Sequence, residues 1–193
     1  MTSKCNHILR GLNERFRWFL APLFLLLLNS TIATSLNPLT LKQLYKHSDL
    51  IVIAQVSQVK IFTKNNTVYS SYSLQVEEYL KGSGTSALSL HQLGGKTKLF
   101  HTLISGIRQY EPQDRVVLFL NSDEQGQLDT LGYAQGSIIL DNQSLIFDNY
   151  HFFIAPSSTN QLPVSSKEYR LHKELETNKN LSNLKELIKL YAS

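Results

Sequence analysis

Apolar residues in the middle of this chain alternate with polar ones or run without a break, and both patterns predict β-strands. Residues 50–62 begin as a continuous apolar run and then alternate, whereas residues 68–80 alternate with an offset at Tyr79 that suggests a β-bulge. Residues 64–66 between them are a turn signal, so we expect these two strands to form a hairpin. Further strands are predicted at residues 87–93, 115–120, 128–140, 145–147 and 152–154.

Helical periodicity occurs only at the two ends of this strand-rich region. Thr40 and Gln43 form a capping-box pair, which predicts one short helix leading into the strands. Near the C-terminus, Ser165 and Glu168 have the same spacing and open a helical segment predicted over residues 167–193. Because an amphipathic stripe is more often core than interface, we expect this segment to dock on the barrel. The stripe consists of Leu181, Leu184, Leu187, Ile188 and Tyr191.

These elements favour a mainly β fold, either a small closed barrel or a sandwich. The long and bent second strand favours the barrel, and Gly132 and Gly136 would permit sharp curvature in the strand predicted at 128–140. We predict a barrel domain over residues 37–154, followed by a linker at 155–166.

The N-terminus carries the three parts of an export signal. Basic residues precede an apolar run at 18–28, and small polar residues follow it, so residues 1–33 are predicted to be a signal peptide cleaved near Ala33 or Ser35. The run is shorter than the roughly 20 apolar residues that a transmembrane helix needs. The alternative is an uncleaved anchor that would tether the chain to a membrane.

Removal of this segment would change both charge and cysteine content. The formal net charge is +4 for the whole chain and falls to +1 without the signal, so the basic character is poor evidence for nucleic-acid binding. The single cysteine, Cys5, lies inside the segment. The exported domain would therefore contain no disulfide, no cysteine-bound metal and no thiol nucleophile.

Five short strings, taken in order, resemble a group of uncharacterised exported bacterial domains. The strings lie at residues 48–56, 76–82, 94–95, 113–120 and 131–136. The wider pattern is similar to the OB-like barrel of the tissue inhibitors of metalloproteinases and of netrin-type modules. The resemblance implies a five-stranded, Greek-key, OB-like closed barrel with an extra hairpin, a short N-terminal helix, C-terminal helices and an exported binding role. Those inhibitors place an N-terminal cysteine on the protease zinc, and this chain has no equivalent, so no inhibitory residue carries over.

Histidines are the candidate metal ligands. His91 and His101 flank the turn at 94–95 and could form a zinc or copper site with Glu111 or Asp114. No histidine has the spacing of a motif such as H-E-x-x-H, and surface or hydrogen-bonded histidines are the more common case. We therefore predict no metal and no cofactor.

Other catalytic arrangements have less support in the sequence. Glu77 and Glu78 are adjacent on a strand, which directs them to opposite faces, and we interpret them as one solvated acid and one edge charge. Ser105 lacks the first glycine of a nucleophile elbow. A Ser–His–Asp site is recognised by geometry, which the sequence does not supply.

Four aromatic residues are candidate ligand contacts: Phe62, Tyr69, Tyr72 and Tyr79. The tyrosines lie on one predicted strand, and Phe62 lies at the end of its hairpin partner. Small barrels bind oligonucleotides or oligosaccharides on such faces, although aromatic residues in strands more often pack in the core or across strands. The near-neutral charge disfavours a polyanion and leaves a peptide or a saccharide.

The leading hypothesis is an exported, periplasmic or secreted, non-enzymatic module that binds a protein or peptide in the cell envelope or outside the cell. No nucleic-acid partner is expected, and membrane contact is expected only if the N-terminal segment is retained. One alternative is a hydrolase or metal-dependent enzyme with a site near His91 and His101. The other is a membrane-tethered interaction protein.

Overall fold

The computed structural model describes residues 37–96, 101–147 and 165–193. The predicted signal peptide, the apolar run at 152–154 and linker residues 155–164 lie outside the described residues, so those predictions stay predictions. In the described part, nine strands follow one another along the chain. They are β1 (Leu50–Lys64), β2 (Thr67–Lys81), β3 (Ala87–Leu93), β4 (Gly95–Lys96), β5 (His101–Thr102), β6 (Arg115–Ser122), β7 (Leu128–Thr130), β8 (Ser137–Asp141) and β9 (Ser144–Ile146).

Five of these strands close into a barrel. The order around the ring is β1-β2-β3-β7-β6, and β6 pairs back onto β1. All pairs are antiparallel except β3 with β7, whose single registered pair is Leu90 opposite Leu128. The β8–β9 hairpin extends the sheet beyond β6, and β4 pairs with β5 in a small separate sheet. The predicted fold class, a mainly β closed barrel with an extra hairpin and terminal helices, is confirmed.

The β1–β2 hairpin supplies the curvature that closes the ring. Asn65 and Asn66 have positive φ angles of 51° and 59°, which Asn tolerates in a two-residue hairpin turn. The register between the strands shifts at three places, and such irregularities bend a strand and increase its twist. As a result β1 pairs with β2 along its length and with β6 over its first residues.

The prediction of one continuous strand over residues 128–140 is wrong. This segment is divided into β7, a 3-10 helix at Tyr133–Gly136, and β8. Gly132 starts the 3-10 helix with a φ of 64°, and Gly136 has the backbone carbonyl groups of Leu131 and Phe119 where a side chain would lie. The two glycines therefore make a reversal rather than a smooth bend.

Strand β6 lies between two apolar cores, and its residues Val116–Leu120 are all fully buried. One core fills the barrel and draws on all five ring strands. It contains Val52, Ala54, Val56, Tyr72, Leu74, Leu90, Tyr110, Val116, Leu118, Leu120 and Leu128. The other lies on the outer side of β1 and β6, where Ile51, Val117 and Phe119 meet the helices. Burial on both faces explains why this strand is continuously apolar.

Three described helices cover the outer core: α1 (Leu41–His47), α2 (Ser166–Asn178) and α3 (Leu181–Ala192). Thr40 and Gln43 form the complete capping box predicted for α1. Ser165 accepts a hydrogen bond from the Glu168 amide, while the Glu168 carboxylate lies 3.7 Å from Lys42 of α1. Leu184, Leu187 and Ile188 are buried in the outer core, so the apolar stripe docks on the barrel as expected. Within the described ranges, no helix is both long enough and apolar enough to cross a membrane.

Candidate binding site

Phe62 and Tyr69 form an aromatic pair at the free end of the β1–β2 hairpin. They are opposite each other in the register, and their rings stack with centroids 5.6 Å apart and planes 15° apart. His91 on β3 approaches Phe62 edge-on at 6.2 Å. Phe62 is 40% exposed, so its ring is accessible from the solvent. We call Phe62, Tyr69 and His91 the aromatic face.

Tyr72 and Tyr79 do not join this face. Tyr72 lies three positions from Tyr69 on the same strand and so points into the barrel, where it is fully buried against Tyr110. Its hydroxyl donates to Gln109 Oε1 at 3.0 Å, and burial raises its pKa. The Tyr79 hydroxyl donates to the carbonyl oxygen of Thr85 at 2.7 Å. Of the four aromatic candidates, the structure thus brings only Phe62 and Tyr69 together at the surface.

A small groove adjoins the aromatic face where β3 meets β7. Its volume is about 90 Å³, well below the roughly 300 Å³ at which pockets for drug-sized ligands begin. It is lined by Tyr69, His91, Gln92, Leu93, Ile107, Gln127, Asp129, Thr130 and Tyr133. A groove of this size has room for one side chain rather than for a whole small molecule.

Polar groups from both strands lie in the groove. Gln92 is 5% exposed and donates from Nε2 to Thr130 Oγ1 at 2.7 Å, which links β3 to β7. Its other amide atom, Oε1, is buried without a hydrogen-bond partner among the described residues, and so is Nδ1 of His91. A buried acceptor in this state is costly to the fold. Such a group in a native structure calls for an explanation, and a bound water, ion or ligand group is one of them.

Asp129 supplies the negative charge of the groove. Partial burial is the main cause that raises the pKa of this carboxyl, and the nearby Asp123 raises it further. His91 acts in the opposite direction. The Asp129 carboxylate accepts a hydrogen bond from the Thr130 amide at 3.2 Å, and among the described residues it forms no ion pair with a lysine or arginine.

The predicted metal site at His91 and His101 can be compared with the structure only in part. His101 lies in β5 and pairs with Lys96, but its side chain is outside the described part, so its proximity to His91 stays a prediction. Asp114 accepts a hydrogen bond from the Glu111 amide at 2.8 Å in the turn before β6. Within the ranges that the structure describes, no three His, Cys, Asp or Glu side chains form a metal-binding cluster.

Glu77 and Glu78 are both ion-paired, which corrects the interpretation of one solvated acid and one edge charge. Arg115 donates from Nε to Glu77 Oε1 at 2.7 Å and from a terminal nitrogen to Oε2 at 2.6 Å. These hydrogen bonds lower the pKa of Glu77. Glu78 pairs with Lys185 of α3 and so ties the barrel to the C-terminal helix. The two carboxylates have structural partners rather than a shared substrate.

Sequence reasoning missed Gln92, Asp129 and Tyr133. Gln92 carried a usable signal, because it is a polar residue at an inward-facing position of an alternating strand, two residues from buried Leu90. Asp129 and Tyr133 carried none, since only ring closure brings the segment after β6 to β3.

The sequence matches no protein-family model and no curated protein with which it was compared. The resemblance to metalloproteinase inhibitors and netrin-type modules therefore stays an expectation based on the five strings.

Proposed function

We propose that this chain is an exported, non-enzymatic module that binds a protein or peptide through the aromatic face and the adjoining groove. The observation that carries the proposal is the stacked, partly exposed pair of Phe62 and Tyr69 beside a groove with room for one side chain. Exposed aromatic rings next to small pockets are characteristic of binding hot spots.

The position of the groove on the barrel supports the proposal. Five-stranded barrels of this topology bind ligands on the face of their second and third strands and on the adjoining loops. Here that region comprises β2, β3, the hairpin turn at 65–66 and the loop between β6 and β7. The groove receives Tyr69 from β2, His91 from β3 and Gln127 from that loop.

The charge of the groove favours a polypeptide over a nucleic acid. Asp129 and Asp123 place negative charge where a phosphate backbone would need lysine or arginine. An extended peptide can lie along the aromatic face and insert one side chain into the groove, which matches the volume of about 90 Å³.

Export is proposed from the N-terminal segment, and the mass of the protein isolated from its own cells tests cleavage near Ala33 or Ser35.

Site-specific photocrosslinking tests the binding face. A photoreactive phenylalanine analogue would replace Phe62 in the full-length chain, produced in the cells that normally make it. The matched control places the same analogue at Tyr169, which is 53% exposed on α2. We expect a discrete polypeptide adduct from position 62 that is absent from position 169 and is lost when Tyr69→Ala is added.

Two results would contradict the proposal. One is the absence of any adduct from position 62 under conditions in which the protein is abundant and folded. The other is an identical pattern of adducts from positions 62 and 169, which would show that contact at the aromatic face is nonspecific.

A further inference from the structure

We propose that the groove binds the side chain of a basic residue, preferably arginine, of the partner polypeptide. The inference rests on the proposed function and names the chemistry that the groove would recognise. It depends on the combination of acceptor groups, negative charge and aromatic rings around one small volume.

The charged groups around the groove complement a cation. Asp129 lines the groove, and Asp123 acts on it from the β6–β7 loop. Asp123 Oδ1 accepts hydrogen bonds from the amides of Gln125 and Gln127, so its carboxylate is held in place. Neither carboxylate forms an ion pair with a lysine or arginine among the described residues. Both residues are exposed, so their carboxylates are accessible to a ligand that brings the opposite charge.

The floor of the groove needs a hydrogen-bond donor. Gln92 is 95% buried, and its amide is oriented by Thr130, yet Oε1 has no hydrogen-bond partner among the described residues. A guanidinium group carries five N–H donors and no acceptor, so it could satisfy Oε1 and a carboxylate together. A carboxylate or phosphate ligand would leave Oε1 unsatisfied and would be repelled by Asp129.

Aromatic rings flank the same volume. Tyr69 and the 51% exposed Tyr133 line the groove, and Phe62 stacks on Tyr69. A guanidinium stacks on aromatic faces as a planar, weakly hydrated cation. Arginine is therefore favoured over the compact and strongly hydrated ammonium of lysine.

The test is an NMR titration of the full-length chain, kept in mild detergent, with N-acetyl-arginine amide. N-acetyl-citrulline amide is the matched probe, because it has nearly the same shape and no charge. We expect saturable shifts of the backbone amides of His91, Gln92 and Asp129 with the arginine compound and much smaller shifts with the citrulline compound. Asp129→Asn should weaken arginine binding about tenfold, the effect of losing one charge-assisted hydrogen bond. Asp141→Asn, an exposed acid on β8, should leave binding unchanged.

The outcomes separate this inference from the proposed function. Equal shifts with both compounds, or binding that Asp129→Asn leaves intact, would overturn the basic-residue inference. If neither compound shifts the groove while the photocrosslink from position 62 persists, the inference is wrong and the binding face stands. If that crosslink is also lost, both proposals are wrong.

Discussion

The Nε2 atom of His172 lies 2.7 Å from the hydroxyl oxygen of Tyr191, and this contact joins α2 to α3 above the outer core. His172 is 3% exposed, and burial lowers its pKa. Burial is also the main cause that raises the pKa of Tyr191, and Glu168 adds to it. Both groups are therefore held neutral at the junction of the two helices. The charged groups that act on His172 are Glu168 and Glu176 of α2 and Lys42 of α1.

This arrangement predicts a loss of stability in mild acid. The unfolded chain takes up a proton on His172 at the ordinary pKa of 6.5, whereas the folded chain resists protonation until a lower pH. The contribution of His172 is thus complete above pH 6.5 and decreases as the pH falls below it. Urea unfolding of His172→Gln between pH 7.5 and 5 should show a weaker pH dependence than the wild type. His47→Gln, at an exposed position of α1, is the control and should retain it. An unchanged slope for His172→Gln would contradict the prediction.

The bidentate ion pair between Arg115 and Glu77 predicts a contribution to stability that is lost in acid. Arg115 is on β6 and Glu77 on β2, and β1 lies between these two strands. Because both side chains are about one-third exposed, we expect Glu77→Gln to lower the free energy of unfolding at pH 7 by only about 0.5–1 kcal/mol. The pKa of Glu77 is lowered, so its contribution is present above the ordinary value of 4.5 and is lost as the pH falls through the folded value. The difference from wild type should therefore disappear in strong acid, and the exposed Glu124→Gln should show none at pH 7. A persistent difference in strong acid would show that the interaction is not ionic.

The surroundings of Gly136 predict that any side chain at this position would clash with the backbone. An alanine there would place its Cβ against the backbone carbonyl of Leu131, which cannot move without displacing β7. We expect Gly136→Ala to destabilise the fold by about 3 kcal/mol, measured by thermal or urea unfolding. Gly126→Ala is the matched control, because that glycine has a φ of 78° and no atom within 4 Å, which leaves only backbone strain of about 1 kcal/mol. Equal losses in the two variants would refute the steric explanation.

Substitution of Asp129 is expected to weaken binding without lowering the stability of the fold. The raised pKa of Asp129 means that the charged carboxylate is less favourable in the folded chain than in the unfolded one. The destabilising contribution develops as the pH rises past the ordinary value of 3.8. Asp129→Asn should therefore keep or slightly raise the free energy of unfolding at pH 7, by no more than about 0.5 kcal/mol, while it weakens arginine binding. A variant that is clearly less stable would assign Asp129 a role in holding the fold.

The barrel could be predicted because each of its main strands is recognisable from the pattern of neighbouring residues in the sequence. Alternation in β1 to β3 and the unbroken apolar run of Val116–Leu120 report directly on one or two buried faces. The division of residues 128–140 could not be predicted, because the same residues also satisfy a strand pattern, whereas in the structure the chain reverses at Gly132 and Gly136.

The candidate site was predicted in part. Phe62 and Tyr69 were candidate ligand contacts on the basis of residue type and the hairpin, whereas His91 was a candidate metal ligand and its place beside Phe62 was not predicted. Asp129 reaches them only through the pairing of β3 with β7, between segments 38 positions apart at Leu90 and Leu128. No periodicity in the chain encodes a contact of that range. Tyr72 lies three positions from Tyr69 in an uninterrupted part of the register, so strand alternation alone places the two side chains on opposite faces.

Ring closure at β3 and β7 has a thermodynamic consequence. These strands share one registered pair and the Gln92–Thr130 hydrogen bond, so local opening of the barrel should begin there. The groove draws residues from both strands, and an occupant would contact each side of this junction. If the groove binds the proposed partner, ligand binding and barrel closure would be linked equilibria, and the free energy of binding would add to the free energy that keeps the ring closed. Amide hydrogens of β3 and β7 would then exchange more slowly in the bound state than in the free state, because the bound partner would stabilise the closed ring.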